Sequence, residues 1–291
     1  MSWRIVVISD RAKLDFKLNY MVVRQKEETT KIFLDEISLL ILESTAISIT
    51  VSLLSQLIKK KIKVIFCDEK RNPISELISY YGSHDSSDKI RKQIKWSDNI
   101  KSLIWTEVVR QKLNNQKLTL RRLEKDEWKL LDKYINEIEI NDETNREGHG
   151  AKVYFNAIFG KTFSRSQDNN INAALNYGYT VLLAAINREI TALGYITQLG
   201  IFHDNMFNHF NLSSDLIEPL RYIVDEKIIK MNLTYFEKEE KLEILDILNK
   251  KVIIDGKNHF LNNAIGIYSK SVIEAIEEKD ISKIKFIKNE L

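Results

Sequence analysis

The sequence predicts an α+β protein: an N-terminal β-sheet domain that carries one helix, followed by a mostly α-helical domain. Two observations support this fold class. Apolar and polar residues alternate in short runs through the first 70 residues, whereas from Ser86 onward apolar residues recur at helical spacing. Because the strand patterns come first and the helical patterns later, we expect two separate domains. The polar segment YYGSHDSSD predicts the boundary between them, with domains at residues 1–83 and 84–291.

Strand patterns dominate the first domain. Leu14, Phe16, Leu18 and Tyr20 alternate with polar residues, which predicts a half-buried strand. The runs RIVVIS, TKIFLDEISLLILE and IKVIFCD predict further strands. Between the last two, TVSLLSQLIKKK has its apolar residues on one face of a helix.

Helical spacing governs the second domain. Apolar residues from Ile90 to Leu113 predict a long helical stretch, which a second pattern continues from 120 to 138. A further helix is predicted over 172–193, ended by Gly194. The segment KVIIDGKNHFL predicts a strand pair with an Asp-Gly turn, and a helix over 262–277 follows it.

Composition excludes several classes of protein. The chain has 291 residues, enough for two domains, and its hydrophobic content of 44% argues against disorder. No apolar run reaches the roughly 18 residues of a membrane span. A single cysteine, Cys67, excludes an internal disulfide and favours a reducing, cytoplasmic location.

Positive charge is concentrated in one segment. The whole chain has a net charge of +3, yet Lys89 to Lys133 holds 13 Lys and Arg against 6 Asp and Glu, a local excess of 7. Such asymmetry is typical of a region that faces a polyanion. A solvated helix face would give the same pattern, and the charge count alone does not separate the two interpretations.

Two acidic motifs have two interpretations each. Asp215-x-x-Glu218 and Thr144-x-x-Glu147 both match a capping box, in which the first residue caps a helix and the acid three residues later reaches back. The same acids could instead bind a metal. His203 and His209 precede the first motif, and a histidine with carboxylates from separate segments suits a divalent ion.

Features around the motifs favour a site. Gly148 and Gly150 follow Glu147 closely, and glycine inside a helix costs about 1 kcal/mol relative to alanine. We therefore expect another backbone or a phosphate to approach the start of that helix.

Four motifs in this order resemble a known family. EGHGAKVYF begins at Glu147, LNYGY spans 175–179, LGIFH ends at His203, and DLIEPLR spans 215–221. Together with the preceding β-rich domain, they resemble the CRISPR adaptation integrase, the larger of the two universal spacer-acquisition proteins. The version here looks most like the form in systems with a single large effector nuclease.

The resemblance implies a β-sheet dimerisation domain and a helical catalytic domain that binds double-stranded DNA. It implies that Glu147, His203 and Glu218 hold Mg²⁺ or Mn²⁺, with Asp215 as an auxiliary acid beside them. Family members work as homodimers bridged by a small ferredoxin-like partner. They insert captured DNA into a CRISPR array by attack of a 3′-hydroxyl on a backbone phosphodiester, and no membrane is involved.

Substrate binding would use the basic segment. The candidate phosphate contacts are Arg91, Lys92, Lys95, Arg121 and Arg122. Arg221 could either orient Glu218 or contact a phosphate. Two other functions remain open on the residues alone: a metal hydrolase of a small phosphate ester, and a non-catalytic architectural DNA-binding dimer with capped helices and no metal.

Overall fold

A computed structural model describes residues 4–26, 28–69, 71, 73–77 and 83–289 of the chain. The chain falls into two compact units, Met1–His84 and Asp85–Leu291, and each is considered by itself. Part of the predicted linker, residues 80–82, lies outside the described residues.

In its described residues, the first unit contains two sheets and one α-helix. The strands are Arg4–Ile8, Lys13–Lys17, Tyr20–Arg24, Thr29–Phe33, Ile37–Leu42, Ser48–Ile49, Lys63–Cys67 and Pro73–Glu76 (β1 to β8). One sheet has strand order β1-β5-β7-β8 and the other β4-β3-β2-β6. β1, β5 and β7 run parallel, whereas β2, β3 and β4 form an antiparallel meander. Helix α1, Val51–Lys59, is capped by the Thr50 hydroxyl, which accepts from the Leu53 N–H.

Two of the predicted strands are interrupted. The alternation from Leu14 to Tyr20 is not one strand, because Leu18 and Asn19 adopt left-handed backbone conformations (φ 49° and 65°) and turn the chain into β3. A two-residue turn keeps the period of 2, so the sequence pattern runs through it unbroken. A short 3₁₀ turn at Leu34–Glu36 likewise separates β4 from β5.

The second unit is mostly helical in its described residues, 85–289. Its helices are Ser86–Ile94, Asp98–Arg122, Trp128–Asn136, Arg146–Phe159, Asn170–Ala192, Asn211–Ile217, Arg221–Met231, Lys238–Leu245 and Leu261–Glu277 (α2 to α10). Its strands are Lys251–Ile254, Lys257–Phe260 and Lys288–Asn289 (β9 to β11), and they form a small sheet of order β10-β9-β11. Asp255 and Gly256 form the predicted hairpin turn with positive φ.

Helix α3 organises this unit. It has 25 residues, about 37 Å at 1.5 Å per residue. Trp105, Val108, Leu113 and Leu120 are buried along it. The predicted continuous stretch is broken before and after α3, at residues 95–97 and 123–127.

The α+β class is therefore confirmed, with strands before helices along the chain. Among the described residues, no helix is both long enough and apolar enough to cross a membrane.

Candidate active site

A buried lysine lies at the centre of the site. Lys112 projects from the middle of α3 with 6% of its side chain exposed, and its Nζ donates to Glu147 Oε1 and to Glu218 Oε2. The two acids come from different elements, α5 and the 3₁₀ turn Glu218–Leu220 that joins α7 to α8. One ammonium thus connects two of the three predicted metal ligands.

Glu147 occupies the first turn of α5, but it is not part of a capping box. The cap of α5 is Asn145, whose side chain accepts from the Gly148 N–H, and Asp142 accepts from the N–H groups of Arg146 and Glu147. The Thr144 hydroxyl makes no hydrogen bond within the part of the chain that the structure describes. The capping-box interpretation of Thr144 and Glu147 is wrong, because neighbouring residues already satisfy these backbone donors.

Gly150 explains how α3 approaches α5. A Cβ built on Gly150 would lie 2.2 Å from Cδ2 of Leu113, the residue that follows Lys112. Among the protein atoms, the close approach expected at this helix start is therefore made by a side chain of α3 rather than by a backbone.

Glu218 is buried and held on both of its oxygens. Arg221 Nε donates to Oε1 at 2.8 Å, and Lys112 occupies Oε2. Arg221 in turn stacks over the ring of Tyr179, 4.6 Å from the guanidinium carbon to the ring centroid. Of the two roles open for Arg221, the structure has it contacting Glu218.

Asp215 is not a helix cap either. It lies inside α7, is fully buried, and accepts from the backbone N–H groups of Ile201, Phe202 and His203 at 2.6, 3.2 and 3.0 Å. Its Oδ1 also lies 2.7 Å from His203 Nδ1. A proton on Nδ1 shared with Asp215 leaves Nε2 as the ring nitrogen that can bind a ligand.

The His203 ring is also packed from the side. It meets Trp105 edge-on at 5.6 Å between ring centroids, and Phe202 stacks flat on Trp105 at 4.4 Å. Trp105 is buried in the core, as its place in the α3 pattern predicts. His149 and His209, the other histidines near the motifs, are exposed.

Electrostatics shifts the pKa values of Glu218, Lys112 and His203. Burial alone would raise the pKa of Glu218, but Arg221 and Lys112 outweigh it and lower that pKa to about 2. Burial would lower the pKa of Lys112, yet Glu218 and Glu147 leave it raised above its ordinary value. The hydrogen bond to Asp215 raises the pKa of His203 against the effect of burial.

The donor set suits a hard divalent cation. Two carboxylates that already converge on one positive centre, with an imidazole oriented by a third acid, are the ligand types that Mg²⁺ and Mn²⁺ accept. In the described part of the chain, no cluster of three or more His, Cys, Asp or Glu side chains stands ready at metal-binding distances. Here the Lys112 ammonium stands between the two carboxylates.

The candidate DNA contacts form two separate sets. Arg91, Lys92 and Lys95 are exposed at the end of α2, and Arg121 and Arg122 are exposed at the far end of α3. The length of α3 therefore separates the sets by roughly 35 Å. The local charge excess does not form one patch around the site.

Sequence reasoning missed Lys112 as a member of the site. The available signal was a set of polar residues that continues the apolar stripe of α3 at helical spacing: Lys112, Asn115, Gln116 and Thr119. In the structure all four are buried. It also missed Asp225, a buried acid on α8 that accepts from the Tyr179 hydroxyl at 2.5 Å. Burial raises the pKa of Asp225 to about 7.

Comparison with known proteins decides the family. The model of the family described as CRISPR associated protein Cas1 matches residues 5–250. The chain belongs to the Cas1 family. The resemblance carried by the four motifs is thereby confirmed.

Relatives of the Cas1 family match nearly the whole chain. A CRISPR-associated endonuclease Cas1 from Neisseria meningitidis serogroup C (strain 8013) is 31% identical, over 98% of this chain and 96% of that protein. Among solved structures, a casposase bound to an integration product has a TM-score of 0.75 at 19% identity, covering 98% of this chain and 94% of that one. A chain of a Cas6-RT-Cas1–Cas2 complex has the same TM-score at 17% identity, covering 97% of this chain but 36% of that one. At these identities the solved structures show a shared fold.

Proposed function

We propose that this Cas1-family protein is a metal-dependent DNA endonuclease and integrase that inserts captured DNA fragments into a CRISPR array. The observation that carries the proposal is the convergence of Glu147 and Glu218 on one buried cation position, together with a histidine that Asp215 orients and that interacts electrostatically with Glu218. The Cas1 relatives named as endonucleases and the fold shared with a casposase bound to an integration product support it.

Each residue has a task in this proposal. Glu147, His203 and Glu218 hold Mg²⁺ or Mn²⁺, which when bound polarises a phosphoryl oxygen and stabilises charge on the attacking and leaving oxygens. Asp215 accepts the Nδ1 proton of His203 and thereby orients the ring so that the Nε2 of the neutral imidazole can bind the ion. Arg221 fixes one oxygen of Glu218 and thereby directs the other toward the ion. A 3′-hydroxyl as nucleophile gives integration, and water gives strand cleavage.

Partners belong to the same proposal. The substrates are double-stranded DNA, both the captured fragment and the CRISPR repeat. The chain acts as a homodimer through its β-rich unit with a small ferredoxin-like partner. Its likeness to a chain of a Cas6-RT-Cas1–Cas2 complex supports such an assembly.

Light scattering tests the proposed homodimer. The purified chain at micromolar concentration should give twice the monomer mass, and a monomer would contradict the homodimer.

Strand transfer tests the proposed reaction. The purified chain and its partner are incubated with Mn²⁺, a labelled duplex and a repeat-containing plasmid. We expect label in the plasmid only when the duplex ends in a 3′-hydroxyl, and none with a 3′-deoxy end. A phosphatase of small esters would cleave p-nitrophenyl phosphate instead, and an architectural dimer would bind the duplex without any covalent product.

The variant Glu218→Gln tests whether Glu218 is a metal ligand. Glutamine has the same shape but lacks the negative charge that a hard cation requires. We expect strand transfer to fall at least a thousandfold and Mn²⁺ binding to be lost, as for Glu147→Gln and His203→Ala. The metal-free protein should also lose stability, since Lys112 and Arg221 lose a buried partner. An active, folded Glu218→Gln protein would contradict the proposed ligand set.

A further inference from the structure

Lys112 contacts one oxygen of each of the two glutamates proposed as metal ligands. Its Nζ contacts Glu147 Oε1 and Glu218 Oε2, while Glu218 Oε1 is already bound by Arg221. An ammonium has three donors and no acceptor, so Lys112 cannot itself be a metal ligand. A divalent ion placed between the two carboxylates would therefore compete with the lysine for these oxygens.

Charge balance explains why a cation is present before any metal. Glu147 and Glu218 carry two negative charges, and Lys112 and Arg221 carry two positive ones, so this group of four is neutral. Without Lys112, two acids, one of them buried, would lie close together with a single compensating cation. Leaving such a charge unpaired is strongly destabilising. Lys112 itself is buried, which ties its head group to these partners.

We propose that Lys112 is a resident counter-ion of the metal site: it holds Glu147 and Glu218 together in the metal-free protein and competes with the divalent ion for them. This inference rests on the proposed metal-dependent function. It assigns Lys112 to the positioning of the ligands rather than to the reacting atoms. Its consequence is that the chain gains stability without metal at the cost of metal affinity.

The inference makes two linked predictions for Lys112→Met, which keeps an apolar stem and removes the charge. Calorimetric titration of the full-length, metal-free protein with MnCl₂ should show Mn²⁺ bound at least tenfold more tightly than by the wild type. Thermal unfolding in chelator should give a lower Tm than the wild type, and saturating Mn²⁺ should narrow that difference. Both results are needed, because a lysine that only adds positive potential would weaken metal binding without stabilising the metal-free protein.

A matched control lies on the same helix. Lys117 pairs with Asp132 at 2.9 Å, outside the site, so Lys117→Met should keep the Mn²⁺ affinity of the wild type. Lys112→Arg gives a second test that does not depend on Lys112→Met being folded. Arginine keeps the charge and binds carboxylates through two donors, so this variant should bind Mn²⁺ more weakly than the wild type.

The outcomes separate this inference from the proposed function. If the wild type binds Mn²⁺ and folded Lys112→Met binds it no more tightly, the counter-ion role is wrong and the proposed function stands. The counter-ion role is equally wrong if Lys112→Arg binds Mn²⁺ as tightly as the wild type. If neither the wild type nor any Lys112 variant binds Mn²⁺, the metal-dependent function falls, and the inference with it.

Discussion

Asp215 shows how a single buried side chain can organise a site through its hydrogen bonds. One of its oxygens accepts from the backbone N–H groups of Ile201 and Phe202, and the other accepts from the His203 N–H and lies 2.7 Å from the His203 ring nitrogen Nδ1. The three backbone N–H groups can only donate, so both carboxylate oxygens act as acceptors. The segment that carries His203 is thereby fastened to α7.

Asp215→Asn should therefore be more damaging than the loss of a helix cap. Whichever way the amide is oriented, its NH₂ group faces N–H donors and leaves at least one of them without an acceptor. We expect a loss of about 1–3 kcal/mol in the free energy of unfolding. Strand transfer should fall tenfold or more, with the Mn²⁺ concentration for half-maximal activity raised. Asp204→Asn, at an exposed acid in the same loop as His203, is the control. It should change neither the free energy of unfolding nor strand transfer.

Asp225 predicts a pH dependence of stability. Its folded-state pKa is raised to about 7 by burial, against an unfolded value near 3.8. Between these values the native state binds more protons than the unfolded state, so this group's contribution to stability falls as pH rises from about 4 to about 7. Asp225→Asn removes the titration while leaving an acceptor for the Tyr179 hydroxyl.

Thermal unfolding from pH 4 to pH 8 tests this prediction. The difference in Tm between Asp225→Asn and the wild type should move in favour of the variant as pH rises, and level off above about pH 7. Asp168→Asn, at an exposed acid, should track the wild type throughout. A constant difference between the Asp225 variant and the wild type would contradict the raised pKa.

At the scale of elements, the site depends on how closely α3 and α5 pack. Gly150 leaves the space that Leu113 fills, and Lys112 and Glu147 meet beside that contact. Gly150→Ala would place a methyl group 2.2 Å from Leu113 Cδ2, so either the Leu113 side chain or one of the two helices must shift. Overpacking of this kind costs about 1–3 kcal/mol.

A double-mutant cycle measures that contact. Gly150→Ala should lower the Tm and reduce strand transfer, and Leu113→Ala should lower the Tm by leaving a cavity. The double variant should lose less stability than the sum of the losses in the two single variants, because the shorter side chain at position 113 makes room for the methyl group at position 150. Strict additivity would show that the α3–α5 approach is not set at Gly150.

At the scale of the whole molecule, basic side chains lie at both ends of the longest helix rather than around one point. Within the described ranges, Arg91 and Lys95 have no acidic partner, whereas Arg122 pairs with Glu226 and Arg121 stacks over Trp128 at 5.1 Å. Lys92, between them in the sequence, pairs with Asp88 at 3.0 Å. Arg91 and Lys95 are thus better placed to bind phosphates. An extended polyanion could contact both sets, whereas a small phosphate ester could not.

Salt dependence of DNA binding separates the two sets. For a duplex of about 30 base pairs, Arg91→Ala with Lys95→Ala should reduce the slope of log K against log salt by up to about 2. Arg122→Ala should change it by less, since that charge is already neutralised by Glu226. Equal changes in the slope for the two sets of variants would contradict the stronger role given to Arg91 and Lys95. If neither set changes the slope, the basic segment is not part of the DNA interface.

Sequence by itself determined the order of the two units and the class of most elements. The repeats of apolar residues, every 2 residues in strands and every 3.6 in helices, depend on local burial. The strand repeat continues even through the two-residue turn at Leu18 and Asn19. It also determined the family, because the four motifs retain their order and type. The identity of the acids at 147, 215 and 218 was visible, but their local spacing indicated caps as readily as ligands.

Only the tertiary structure excluded the interpretation as caps. A cap is a contact within one turn, whereas Glu147, Asp215 and Glu218 each have a partner on a distant segment. Lys112 is 35 and 106 residues away from the two glutamates, and His203 is 12 residues from Asp215. Contacts at such separations have no periodic signature, so the chain must fold before they exist. For the same reason a lysine that counts toward a basic segment in the sequence becomes, in the folded protein, the buried cation between two acids.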